Sequence, residues 1–162
     1  MHRAARRRRL IVAAAGLLLL LGVAGGVLYA VRHHGVEVAA PPHRADCEVA
    51  MPLMPSTVGG QAASDAFVAE RGDPRDIRVW GDPAIIATCG WPPLGPTPDQ
   101  CLDVDGVDWV AEPLSDGVRF TTFGRDPAIE VLVPHAYDPA PLLLPALGPA
   151  AKSLPATGRT CS

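Results

Sequence analysis

The sequence predicts an α+β domain behind a single transmembrane helix. The expected domain has an antiparallel sheet of 3–5 strands flanked by short helices and stapled by two disulfides. Three observations carry this. Residues 10–31 read LIVAAAGLLLLLGVAGGVLYAV, 22 residues without a charge. All four cysteines lie beyond that stretch. After Cys101 the chain alternates short apolar runs with Asp-Gly pairs, the pattern of successive hairpins.

Charge divides the chain in the same place. The formal net charge of 162 residues is -3, but residues 1–32 carry +6 and residues 33–162, with eight basic and seventeen acidic side chains, carry -9. An apolar content of 48% is too high for a disordered chain. The acidic balance argues against nucleic acid as a partner, because phosphates demand a basic surface.

The elements follow in order. Residues 1–9 hold five Arg, a basic tail that keeps the amino terminus cytoplasmic. A helix over residues 10–31, rising ~1.5 Å per residue, spans about 33 Å, which matches a hydrocarbon core of about 30 Å. Gly22 and Gly26 have the small-xxx-small spacing of a helix pair, though an ordinary anchor needs no such partner. The competing account is a secreted protein with a cleaved signal peptide. The apolar stretch exceeds the usual signal length, and Val38-Ala39-Ala40 lies well past it, ahead of Pro41. Residues 32–46 read as a solvated spacer, which makes His33, His34 and His43 poor metal ligands.

The extracytoplasmic domain is expected over residues 47–162. Asp46 reads as the N-cap of a short helix through Cys47, Val49, Met51 and Leu53, ended by Pro55. Residues 56–79 read as polar connection, with a helical turn around residues 65–70. The run 84–89, AIIATC, bounded by Pro83 and Gly90, reads as an interior strand. Asp105-Gly106 suits a type I′ turn between residues 102–104 and 107–110. Asp116-Gly117 is a second such pair, and residues 124–127 turn the chain into a strand in which Ile129, Val131 and Val133 share a face. Asp138-Pro139 marks the start of a last helix carrying Leu142, Leu143, Leu144 and Leu147, with a break near Gly148.

Cys47, Cys89, Cys101 and Cys161 lie in a region that the topology places in an oxidising compartment, so two disulfides are expected. Their spacing holds no C-x-x-C pair and fits neither zinc nor a redox site. Of three connectivities, the expected one joins Cys89 with Cys101, closing a Pro-rich loop, and Cys47 with Cys161.

Three stretches, VWGDPAIIATCG at 79–90, CLDVDGVDWV at 101–110 and FTTFGRDPAIEVLVP at 120–134, together with Cys47 and Cys161, resemble a known family. It is the actinobacterial membrane proteins grouped as the domain-of-unknown-function 3515 family. The resemblance implies a small single-span or secreted envelope protein, and implies no activity. Thr88 stands where a basic residue is common in that family.

No catalytic signature appears: there is no G-x-S-x-G, H-E-x-x-H, P-loop or dinucleotide glycine pattern. No catalytic, cofactor-binding or metal residue is therefore assigned. His135, beside Pro134, reads as a solvated loop residue. Asp99, Asp103, Asp105 and Asp108 are the densest acidic group, but their spacing is not an EF-hand loop. Trp109 reads as core, Trp80 as packed beneath the following turn, and Trp91 as an exposed aromatic contact for a partner. The expected function is a membrane-anchored cell-envelope protein, a non-enzymatic binding or accessory module contacting an envelope protein or wall component. The alternatives are an envelope hydrolase or transferase using a carboxylate pair such as Asp103 and Asp108, and a structural spacer.

Overall fold

The computed structural model describes residues 36–161, and in the preceding segment Gly22 and Val23. The expected span at residues 10–31 lies outside the described residues. Among those described, no helix is long and apolar enough to cross a membrane.

The chain enters the domain earlier than expected. Strand β1 (Val36–Ala39) pairs in parallel with β4 (Phe67–Arg71), and Val38 and Ala40 are buried. Residues 36–46 are thus part of the fold rather than spacer. This pairing also overturns the helical turn expected at residues 65–70. Phe67 and Ala69 turn inward while Val68 faces solvent, an alternation of period two that a partner strand stabilises.

The main sheet has eight strands, not three to five. Along its width run β2 (Thr57–Val58), β3 (Gln61–Ser64), β5 (Ile77–Trp80), β6 (Ile85–Trp91), β10 (Ala128–Pro134), β9 (Gly117–Thr122), β8 (Val107–Pro113) and β7 (Gln100–Val104). Every neighbouring pair is antiparallel. The four strands expected after Cys101 form a meander, and β6 docks on its last member. Residues 56–79 supply the extra strands, too short and polar to announce themselves.

One face of the sheet packs against the helices α1 (Cys47–Ala50) and α2 (Gly148–Ser153) and the 3₁₀ segment Ala140–Leu147. Trp80, Trp109, Phe120, Ile129, Leu144 and Leu147 are fully buried there. The opposite face is covered over β5 and β6 by the β1–β4 ribbon, which buries Ile77 and Val79. Because β6 is covered on both faces, its sequence is apolar except for the buried Thr88. Strand β8 alternates only at its start: Asp108 is half-buried between the buried Val107 and Trp109, whereas Val110, on the same face as Asp108, is itself buried.

Local chemistry explains the turns and helix ends. Asp105 (φ 54°) and Gly106 (φ 76°) both adopt the left-handed region that a type I′ turn requires. Asp116-Gly117 does not repeat that device. Gly117 opens β9 instead, where an added Cβ would run into the Val133 carbonyl. Asp46 is itself helical and makes no side-chain cap; its carbonyl accepts from the amide of Val49 (3.2 Å). Asp138 is extended and caps no helix start; its amide instead closes the preceding 3₁₀ turn by donating to the His135 carbonyl (3.2 Å). With Pro141 and Pro145 inside it, the following segment is 3₁₀, and the α-helix begins at Gly148 rather than breaking there.

The disulfides join Cys47 to Cys89 and Cys101 to Cys161, each with Cα atoms 5.8 Å apart. The expected pairing is overturned by sheet order. Three strands stand between β6 and β7, so Cys89 and Cys101 are four interstrand steps apart, ~19 Å at about 4.8 Å each. A disulfide needs Cα atoms within about 7 Å.

An apolar groove beside the edge strand

Strand β7 has one neighbour, β8, and its other side is a free edge. In a hairpin with a two-residue turn, the residues flanking the turn form a hydrogen-bonded pair. Val104 and Val107 flank it, so Leu102 and Gln100 direct their backbone groups at β8. Cys101 and Asp103 direct theirs outward. The carbonyl of Asp108, opposite Asp103, agrees with this phase, since it accepts from Phe123 on the far side of β8 (2.8 Å). Among the described residues, none forms a backbone hydrogen bond to the outward groups of Cys101 and Asp103.

Beside this edge lies a groove of about 750 Å³. Its floor is Leu102, Val104, Ala111, Val118 and Phe120, all on the helix-covered face of the sheet. Its wall is the proline-rich segment that follows β10. A 3₁₀ helix repeats every three residues, so Pro139, Leu142 and Pro145 line up along one side. Leu143, Leu144 and Leu147 turn into the core, whereas Leu142 is 73% exposed. Asp99, Asp103 and Asp138 also line the groove; no Lys or Arg does.

The acidic residues singled out in the sequence are brought only partly together. Asp103 and Asp108 face each other across β7 and β8, but each has a structural partner. Asp108 Oδ2 accepts from the amide of Cys161 (2.8 Å), and Asp103 Oδ1 accepts from Gly106 (3.4 Å). Asp105 sits in the turn, and Asp99 is bonded to Thr97. No group of three His, Cys, Asp or Glu side chains is placed to hold a metal ion among the described residues.

Trp109 and Trp80 are fully buried, and the Trp80 indole donates to the carbonyl of Pro55 (2.9 Å). Trp91 ends β6, half-buried, donating to Thr88 Oγ1 (2.8 Å). It does not line the groove, which lies at the other end of the meander. Sequence reasoning missed Leu142 as an exposed side chain, because four leucines in six residues carry no sign of which one faces out.

It also missed an ionic cluster. His43 Nδ1 lies 2.7 Å from Oδ2 of the buried Asp76, and its Nε2 lies 3.4 Å from Glu48. The hydrogen bond to Asp76 raises the His43 pKa above its ordinary 6.5, against a smaller opposing effect of desolvation. Arg75 grips Asp73 through side chain and backbone and lowers that carboxyl to about 2. The His43–Asp76 contact ties residues 41–46 to the turn before β5, and the Arg75–Asp73 contacts brace that turn internally. The side chain of His135 is exposed, with its Nδ1 3.2 Å from Asp138 Oδ2.

The fold and groove define a disulfide-stapled, sheet-rich α+β domain with an open strand edge along β7. No protein-family model, curated protein or solved structure matches the chain.

Proposed function

We propose that this chain is a single-pass membrane protein of the cell envelope. In this reading its extracytoplasmic domain is a non-enzymatic binding module that presents the groove beside β7 to another envelope protein. The observation that carries the binding function is the groove itself: about 750 Å³, apolar on floor and wall, with Leu142 73% exposed at its lip. Concave apolar sites flanked by a few polar groups are where proteins bind ligands. The charge-free stretch at residues 10–31 and the arginines before it support the anchor and its orientation. The resemblance to the actinobacterial family supports the envelope location.

The test is photo-crosslinking in native membranes with the full chain, using a photoreactive residue at position 142 and, as control, at exposed Val68 on the β1–β4 ribbon. A discrete adduct from position 142 and none from position 68 is expected. Equal labelling from both positions, or none from either, refutes the proposal.

A further inference from the structure

We infer that the groove takes an extended, cationic peptide segment of a partner protein, added to the main sheet as a ninth strand along β7. The inference rests on the binding-module reading and names its ligand class and mode.

The free edge supplies the first recognition element. The outward N–H and C=O groups of Cys101 and Asp103 are two donors and two acceptors at the spacing of one strand face. An incoming strand satisfies all four with three to five residues of backbone, independent of its sequence. The groove supplies the second. Leu102 and Val104 lie two residues apart on its floor, so the side chains of an added strand that fall on the same face also come at every second residue. They enter between that floor and the row formed by Pro139, Leu142 and Pro145. The rigid proline wall needs little ordering on binding, which lowers the entropic cost of association.

Charge selects the occupant. Asp99, Asp103 and Asp138 line the groove with no basic residue among them, and residues 33–162 net -9. Lys or Arg at the intervening positions of the peptide falls on the opposite face of the sheet, where Asp103 and Asp108 stand side by side, and complements the charge there. The same field argues against a second copy of the chain: pairing two β7 edges brings Asp99 and Asp103 of one copy close to those of the other, and like charges across a strand pair are unfavourable. Charged edge residues are a known guard against such self-pairing.

The test uses the full-length chain in nanodiscs and fluorescence anisotropy. The probes are seven-residue peptides with Val, Leu or Phe at alternate positions and Lys between them. Each is also made with all backbone amides N-methylated, and with Glu replacing Lys. Saturable binding is expected for the Lys peptides. It should weaken at least tenfold on N-methylation, on Glu replacement, and in the variant Leu142→Glu, whose melting temperature should stay near that of the parent because the side chain is exposed. Equal binding of the N-methylated peptides overturns strand addition. So does the absence of peptide binding by a chain whose position 142 still captures a partner in membranes, an outcome that leaves the binding module standing. Absence of both overturns both.

Discussion

Replacing Cys101 and Cys161 together by Ser, and in a second variant Cys47 and Cys89 together by Ala, separates what loop closure contributes from what buried packing contributes. The two bridges span 60 and 42 residues. On the chain-entropy account each removes ~4 kcal/mol of unfolded-state freedom, and the difference between them is only a few tenths. Burial distinguishes them. Cys47 and Cys89 are fully enclosed between α1 and β6, whereas Cys101 and Cys161 are half-exposed. The outer pair should therefore cost about 4 kcal/mol, and the inner pair about 5–6, since truncating buried side chains adds a cavity cost. For a domain of this size, a loss of about 4 kcal/mol lowers the melting temperature by roughly 10–20 °C. Urea and thermal unfolding followed by tryptophan fluorescence suit the measurement, because Trp80 and Trp109 are both fully buried. A non-reducing peptide map should recover Cys47 with Cys89 and Cys101 with Cys161. Equal losses in the two variants refute the packing argument, and a peptide joining Cys89 to Cys101 refutes the sheet order.

Phe120→Ala should cost about 3–5 kcal/mol in urea unfolding, since the ring is fully buried against the helix layer. Gly117→Ala should cost ~1–3 kcal/mol despite its small size, because the new methyl meets the Val133 carbonyl; unchanged stability would show that β9 and β10 can separate locally. His43 has a folded pKa raised above 6.5 by Asp76. Its contribution to stability is then full below about 6.5 and lost as pH rises through the folded value. Melting temperatures between pH 5.5 and 8.5 should fall more steeply for the parent than for His43→Gln, and parallel curves would exclude the coupling. Mild phosphine reduction with alkylation and mass spectrometry should open the half-buried Cys101–Cys161 bridge before the fully enclosed one.

What was legible in the sequence rests on interactions between near neighbours. The Asp105-Gly106 turn follows from the φ preferences of two adjacent residues. The strand with Ile129, Val131 and Val133 inward follows from alternation. The apolar run at 84–89 reads as an interior strand, and the strand extends to Trp91, because β6 is covered on both faces. Trp109 was identifiable as core because it sits in phase with Val107 and Ala111. The groove was not legible. Its floor comes from strands within residues 102–120 and its wall from residues 139–145, and Leu142 differs from Leu143 and Leu144 only in the phase of a 3₁₀ turn.

The sequence by itself determined the partition of charge, the even set of cysteines beyond the apolar stretch, and the hairpins that follow Cys101. Tertiary structure alone decided which cysteines pair, that β1 belongs to the domain, that Asp76 holds His43, and that β7 is left at an edge. The physical reason lies in loop closure, whose cost grows only with the logarithm of separation. Preferring the 12-residue separation of Cys89 and Cys101 over the 42 residues between Cys47 and Cys89 gains only ~1 kcal/mol. Enclosing α1 against β6, with both sulfurs fully buried in the main core, outweighs that. Local preferences are read from a few residues at a time, while the choice among distant partners belongs to the packed core.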